Sequence, residues 1–345
     1  MTTSFPIVSV VMPIRNEAGY IGGTLQAVLD QDYPADAMEV LVVDGMSTDH
    51  TREIVRDLQA RHPNIRLIDN PSKIVPTGLN KAISGARGEI IIRVDGHTTI
   101  APDYIRQCVE ALQRTGADNV GGRMDAVGST LFGKAVAAAT STPFGVGGSH
   151  FHYSNREEWV DSVYMGAWRR EVFGKVGLFD EELVRDQDDE FNYRLRKHVG
   201  KILLTPRIKS VYTVRSQPKA LWKQYYQYGY WKVRVFQKHP RQMSPRHFAP
   251  LILVLGLLVS ALLAMVAPPW GRILFGAALG LYLAANLAAS LMTAARTSWS
   301  YLPYLPVAFA ALHFGYGLGF LVGLVKFARR WRFVMQASGR AGAQE

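Results

Sequence analysis

Residues Gly88 to Thr99 read GEIIIRVDGHTT. Three isoleucines, Arg93 and Val94 make a short, mostly β-branched run, the composition of a buried strand. The run stops at Asp95-Gly96-His97, where Gly96 lets the backbone turn. Ligands of open α/β sheets bind beyond the carboxyl ends of the strands, so an acid placed there is a candidate contact. Asp95 and His97 stand two residues apart. A carboxylate with an imidazole suits Mn2+, and the carboxylate also suits Mg2+. Two potential ligands do not make a site, and a strand end with a solvated acid and a turn glycine fits the same residues equally well.

Working outward, the pattern repeats. Ile7 to Met12 (IVSVVM) predicts a first buried strand, Pro13 to Glu17 a loop, and Ala18 to Asp30 has helical spacing. Glu39 to Val43 predicts a second strand that stops at Asp44. Ser47 to Asp49 then offers an N-cap for a helix over Thr51 to Arg61. Ile65 to Asp69 predicts a third strand, Gly78 to Ala86 the helix before the Asp95 strand, and Tyr104 to Gln113 the next helix. Strand–helix alternation with acids at strand ends predicts an α/β fold with a mostly parallel, nucleotide-binding sheet. Asn119 to Asp125 begins a less regular middle. Gly145 to Asn155 (GVGGSHFHYSN) reads as a mobile loop; His150 and His152 could be ligands there, with loop solvation the expected reading. Val163 to Trp168 predicts another strand or strand end, and Arg169 to Lys175 a short helix. Asp188, Phe191 and Leu195 fall at i, i+3 and i+7. That spacing puts Asp188 on the inward face at a helix start, where its charge suits the macrodipole.

The chain has 345 residues, room for one large or two modest domains, and a formal net charge of +11. Many of its Lys and Arg flank an apolar region, so anionic lipid or phosphate is the expected partner and nucleic acid is not. Cys108 is the single cysteine. This excludes an intrachain disulfide and a cysteine-cluster metal site, and the residue reads as a buried small hydrophobe. The run Ile7 to Met12 is too short for a signal peptide, so the polar part is expected to stay in the cytoplasm. Ala220 to Lys238 (ALWKQYYQYGYWKVRVFQK) interleaves aromatic and basic residues, with Trp222, Tyr226, Tyr230 and Val233 near one face. It predicts a helix lying in the membrane interface.

Three apolar segments follow, over about residues 248–267, 273–294 and 302–328. Each is near or above the ~20 residues of a spanning helix. Gly276, Gly280, Gly315, Gly317, Gly319 and Gly323 permit close helix packing. His313 lies deep in the third segment, where a hydrogen bond to a neighbouring helix is its expected use. Lys232, Arg234, Lys238, Arg241 and Arg246 precede the first segment, and Lys326, Arg329, Arg330 and Arg332 follow the last. Both clusters favour the cytoplasmic side, whereas three spans would separate them. Either one segment is re-entrant or the last cluster is translocated.

Four stretches occur in an order known from one enzyme family: VVMPIRNE (Val10 to Glu17), VVDGMSTDHT (Val42 to Thr51), GLNKAISGARGEIIIRVDGHT (Gly78 to Thr98) and VGLFDEELVRDQDDEFNYRL (Val176 to Leu195). Over about residues 6–235 the chain resembles inverting glycosyltransferases of family 2. With its membrane tail it resembles bacterial exopolysaccharide glucosyltransferases of the succinoglycan type. The resemblance implies the GT-A nucleotide-sugar-binding fold and a set of roles. Pro13, Arg15 and Glu17 match the loop lining the nucleobase pocket, and Asp44 the acid that hydrogen-bonds the uracil. Asp95 opens the DxD motif, whose divalent ion, Mn2+ or Mg2+, bridges the donor phosphates and stabilises the leaving group. His97 stands where that motif has its second acid and is the other expected ligand. Leu79 replaces a common Arg, and Lys73 is expected to supply the cationic contact to the diphosphate instead. Asp188 matches the base that takes the acceptor hydroxyl proton as that oxygen attacks the anomeric carbon. Arg194 falls where the family places an Arg. Gly45 replaces the second acid of the usual pair, and Gln187 the Glu that usually precedes the base. Trp168, Glu190 and Gln224 are the acceptor-side candidates. Gln224 to Tyr228 (QYYQY) only faintly matches the QxxRW motif of processive synthases, which implies addition of a single sugar.

On this reading residues 1–215 form the glycosyltransferase domain, 216–247 an interface helix region, 248–328 about three transmembrane helices, and 329–345 a basic tail. The expected reaction is inverting transfer of one sugar, glucose, from a UDP-sugar to a lipid-diphosphate-linked saccharide. It belongs to exopolysaccharide or cell-surface polysaccharide biosynthesis, on the cytoplasmic side of a bacterial inner membrane. The alternatives are a processive polysaccharide synthase, which usually has more membrane helices, and a catalytically inactive membrane scaffold of the same fold. The loss of one DxD acid is what supports the latter. The residues set no oligomeric state.

Overall fold

The computed structural model describes residues 5–198 and 200–331. In chain order its elements are β1 (Val8–Ile14), α1 (Ile21–Leu29), β2 (Met38–Asp44), α2 (Thr51–Arg61), β3 (Ile65–Asp69), α3 (Val75–Gly85), β4 (Ile90–Arg93), β5 (Thr98–Ile100) and α4 (Tyr104–Thr115). Next come β6 (Asn119–Val127), α5 (Leu131–Thr140), α6 (Pro143–Val146), β7 (Glu158–Trp159), β8 (Tyr164–Arg169), α7 (Glu171–Val176), α8 (Gln187–Lys197) and β9 (Ile202–Thr213). The long helices α9 (Pro218–Lys238), α10 (Ala249–Val266), α11 (Trp270–Arg296) and α12 (Leu305–Lys326) follow. The chain forms two compact units: Met1–Asp125 with Ser149–Thr213, and Ala126–Gly148 with Val214–Glu345. This division differs from the contiguous boundary expected at residue 215, because residues 126–148 fold with the later helices.

The first unit is built on a sheet whose strands, among the described residues, run in the order β3-β2-β1-β4-β8-β6-β9-β5, with β7 paired to β9. β1, β2, β3 and β4 pair in parallel with one another. β1, β2 and β4 are almost wholly buried, which is why they read as continuous apolar runs. Alternate residues feed two cores. Val10, Met12, Val42 and Ile92 meet Leu25 of α1, Val55 of α2 and Leu112 of α4. Val11, Leu41, Val43 and Ile91 meet Leu79 of α3, Phe173 of α7 and Phe191 of α8. Cys108 is fully buried in the first core, as expected, and burial pushes its thiol up. The parallel strands end in register, Ile14 beside Asp44 and Asp44 beside Asp69. Beyond β4 the direction reverses, with β8 antiparallel to it.

Three expectations change here. Residues 119–127 form the strand β6, whose register with β8 shifts between Val120 and Gly122; the Gly121-Gly122 pair hides it in the sequence. β9 is a twelve-residue strand that the sequence reading passed over, because Pro206 interrupts its centre. The loop with the two histidines is pinned: residues 150–152 make a 3-10 turn, His150 pairs with Glu158 at 3.0 Å, and Phe151 packs on the second core.

In the second unit, among the described residues, three helical stretches are long and apolar enough to cross a membrane, Pro245–Val266, Trp270–Arg296 and Leu305–Lys326. They match the three apolar segments. α9 runs against α12 with backbones nearly touching: a Cβ at Gly319 would lie 2.0 Å from the Tyr226 carbonyl oxygen. The face of α9 expected to meet lipid instead buries Val233 with Phe320, Tyr230 and Phe327, because the small residues of α12 open a groove for it. His313 bonds its neighbours as expected, its Nε2 donating to the Phe144 carbonyl at 2.8 Å and its Nδ1 accepting from the Tyr282 hydroxyl at 3.2 Å. Arg332 and the rest of the predicted basic tail to residue 345 lie outside the described residues.

Candidate active site

The carboxyl edge of the parallel strands gathers the loops that carry most of the sequence candidates. The loop after β1, with Pro13, Arg15 and Glu17, hangs on the loop after β2. Asn16 N–H donates to Ser47 Oγ, Thr48 N–H to Asn16 Oδ1 and Glu17 N–H to Thr51 Oγ1, each at 2.8 Å. Gly96 lies under this loop, and a Cβ there would come within 2.9 Å of Ile14 Cγ2. Lys73 is exposed after β3, ahead of α3. Among the described residues, five non-glycine residues take left-handed φ between 54° and 63°: Asn16, Met46, Lys73, Met165 and Asp186. Each belongs to or borders a candidate position, and Met165 sets its Sδ 3.4 Å from the Asp95 amide. Strain of this kind costs about 1–3 kcal/mol per residue and concentrates where function demands a geometry.

Asp95 leaves β4 beside Arg93. The Arg93 Nε donates to Asp95 Oδ1 at 2.7 Å and Nη2 to Oδ2 at 3.2 Å, while Nη1 stands 3.9 Å from Asp188 Oδ2. Burial works against the Arg93 charge, but the carboxylates of Asp95 and Asp188 outweigh it and hold the guanidinium protonated. Asp188 lies in the first turn of α8 with its side chain 38% exposed. The surrounding wall hydrates it poorly, which raises its carboxyl above the ordinary range. Arg93 pulls the value back, and Asp189 adds to the rise. A carboxylate tuned upward suits proton abstraction near neutrality.

His97 turns its Nδ1 to Glu17 Oε1 at 3.0 Å, with its ring between Tyr20 and Tyr212. Among the described residues no three Asp, Glu, His or Cys side chains gather as a metal cage. Asp95 and His97 are partly open, at 16% and 28% exposure. These hard oxygen and nitrogen donors fit a divalent ion that completes its shell with phosphate oxygens and water.

Several candidates sit otherwise than the sequence suggests. Asp44 is fully buried, its carboxylate held by Arg52 Nη1 at 2.6 Å and by the Ser47 amide at 3.0 Å. Its carboxylate braces the second loop. Trp168 is 2% exposed and packs on Phe173, Phe179 and Phe191, which leaves no face for an acceptor. Glu190 is equally buried and locked to Arg194, at 2.6 and 2.9 Å, so it cannot contact one either. Arg194 in turn donates to the Val176 and Leu178 carbonyls, tying α8 to the end of α7. Gln224 belongs to the second unit, where it donates to the Tyr228 hydroxyl at 2.9 Å. The sequence reading missed Arg93 and Arg52. An arginine inside a buried strand, two residues before an acid and so on the same face, was the available signal for Arg93.

A parallel half, an acid-ended strand at its border and an antiparallel half beyond it make a GT-A-type domain. The Glycosyl transferase family 2 model matches residues 9–177. The chain is 33% identical over 323 residues to the succinoglycan biosynthesis protein ExoA of Rhizobium meliloti (strain 1021), covering 93% of this chain and 96% of that one. It is 27% identical to a dolichyl N-acetyl-α-D-glucosaminyl phosphate 3-β-D-2,3-diacetamido-2,3-dideoxy-β-D-glucuronosyltransferase of Methanococcus voltae, covering 92% and 97%. Among solved structures it is similar to the mannosyltransferase PcManGT of Pyrobaculum calidifontis with GDP-Man and Mn2+, at a TM-score of 0.56, 24% identity and coverage of 90% and 88%. It is also similar to Staphylococcus aureus TarS 1-349 with UDP, at 0.50, 18%, 94% and 91%. The protein belongs to glycosyl transferase family 2 and is a glycosyltransferase with the GT-A fold.

Proposed function

We propose that this enzyme transfers a single sugar, with inversion, from a UDP-sugar to a lipid-diphosphate-linked saccharide in exopolysaccharide or other cell-surface glycan assembly. One observation carries the reading. Asp95 at the end of β4 and Asp188 at the start of α8 stand on either side of one guanidinium, 2.7 and 3.9 Å from it. A donor-side acid and an acceptor-side base are thus within one residue of each other. The similarity to a succinoglycan biosynthesis protein supports the exopolysaccharide class.

The loop with Pro13, Arg15 and Glu17 receives the nucleobase, with Asp44 bracing it from behind, and Lys73 contacts the diphosphate. Asp95 and His97 would hold Mn2+ or Mg2+, which when bound offsets the negative charge that grows on the departing diphosphate. Asp188 takes the proton of the acceptor hydroxyl as its oxygen attacks the anomeric carbon. One displacement from the face opposite the leaving group turns an α-linked donor into a β product.

A screen of UDP-sugars with the purified full-length protein in detergent identifies the donor by release of UDP. With that donor, Asp188→Asn should lower turnover by about 10²–10⁴ while UDP binding survives. EDTA should abolish turnover and Mn2+ restore it. Turnover of Asp188→Asn within twofold of the parent, with Asp189→Asn inactive instead, would move the base by one residue. Full activity in excess EDTA would remove the metal from the scheme.

A further inference from the structure

Arg93 is 6% exposed, on a strand buried along its whole length. A buried guanidinium is costly unless its donors are used. Two of its nitrogens are used, both on Asp95. The third, Nη1, makes no hydrogen bond among the described residues and is shut from solvent. It is the nitrogen nearest Asp188, at 3.9 Å, too far for a hydrogen bond and close enough for strong attraction across poorly hydrated space. The two neighbouring acids of α8 point elsewhere: Asp189 accepts from Ser162 Oγ at 3.2 Å, and Glu190 is held by Arg194. Of the three consecutive acids, Asp188 is the one that stands beside Arg93 of β4.

From this arrangement we infer that Arg93 is a positioning residue for the transfer. Its rigid fork fixes the Asp95 carboxylate toward the donor phosphates, and its remaining arm holds Asp188 at a set distance on the acceptor side. In-line displacement needs the attacking oxygen and the departing phosphate on opposite sides of the anomeric carbon. A link between the acid of one side and the base of the other sets that geometry. Without Arg93 no guanidinium would stand between the two carboxylates, and Asp188 would swing away. The role rests on the reading of Asp188 as the base. Lysine cannot replace the fork, because an ammonium is a point charge that serves one carboxylate well but not two in fixed directions.

The test is a double-mutant cycle on the full-length protein in detergent, following hydrolysis of the UDP-sugar selected above, with water as acceptor. Arg93→Met should lower kcat by about 10–100-fold, as loss of orientation does, with the donor KM and UDP binding within about threefold. Arg93→Lys should recover part of the loss. In an Asp188→Asn background, Arg93→Met should cost less than about threefold, since the group it positions is already disabled. Equal losses in both backgrounds, or a raised KM with kcat unchanged, would show a role in folding or donor binding and overturn the inference. If Arg93→Met does not fold, the same cycle with Arg93→Lys decides by the same criterion. Full activity of Asp188→Asn would instead refute the base. An inactive Asp188→Asn beside a fully active Arg93→Met would refute Arg93 alone.

Discussion

At the scale of single residues, the motif acids were legible because each ends or begins an element. Asp95 follows a β-branched run and Asp188 precedes an amphipathic one, so spacing alone placed them at an edge. What spacing could not give was the partner made through the fold, such as the Arg93 of β4 that reaches Asp188. Arg93, Arg52 and Arg194 decide where Asp95, Asp44 and Glu190 point; of these pairs only Glu190–Arg194 is a helical neighbour, and the arginine that reaches Asp188 from β4 is far from it in sequence. Trp168 shows the converse: an aromatic beside a strand end suits a sugar, and only packing reveals that the ring is core. His152 carries a prediction at this scale. Its Nδ1 is enclosed without a hydrogen-bond partner among the described residues, its ring lies 4.5 Å from Phe151, and burial lowers its pKa to about 4. Unfolded, the same imidazole takes a proton near pH 6.5. The unfolded chain therefore binds more protons between these values. Stability from this residue is full above about pH 6.5 and falls as the pH drops toward about 4. The unfolding midpoint of the parent should decline over that window more than that of His152→Phe. Parallel declines would mean that the imidazole is hydrated in the folded protein.

Among the elements, the parallel strands and their helices were readable from period and composition, since both faces of β1, β2 and β4 are buried. The antiparallel half was not, because β6 and β9 carry Gly and Pro where a strand signal should be. The α9–α12 pair shows the same limit. Its aromatic stripe has the composition of a lipid-facing surface, and only the close approach at Gly319 shows that another helix takes its place. Gly319→Ala should drive a methyl group into the Tyr226 carbonyl and cost about 1–3 kcal/mol, as overpacking does. A methyl group at Gly256 on α10 would meet nothing within 4 Å, so Gly256→Ala should be neutral or gain up to about 1 kcal/mol of helix propensity. Thermal unfolding in one detergent compares the two. Equal midpoints would mean that α9 and α12 do not pack through their backbones.

For the whole molecule, three apolar helices and their basic flanks predict firm membrane attachment. Each Lys or Arg near an anionic surface adds about 1 kcal/mol, less once salt screens it. The full-length protein should sediment with membranes and need detergent for release. Recovery from the soluble fraction after a simple lysis would contradict this. A C-terminal tag probed with protease from outside would decide on which side the chain ends.

The excursion of residues 126–148 into the second unit sets a constraint on how the chain is made. Phe144 and His313, which hydrogen-bond in the finished protein, are 169 residues apart. At roughly 5–20 residues per second on the ribosome, α5 and α6 wait on the order of 10–30 s before α12 exists to receive them. Through that interval the side of α5 that packs on α12 is uncovered, although the strands on either side of the excursion have already been synthesised. A nascent chain stalled before residue 305 would present this face to chaperones or to lipid.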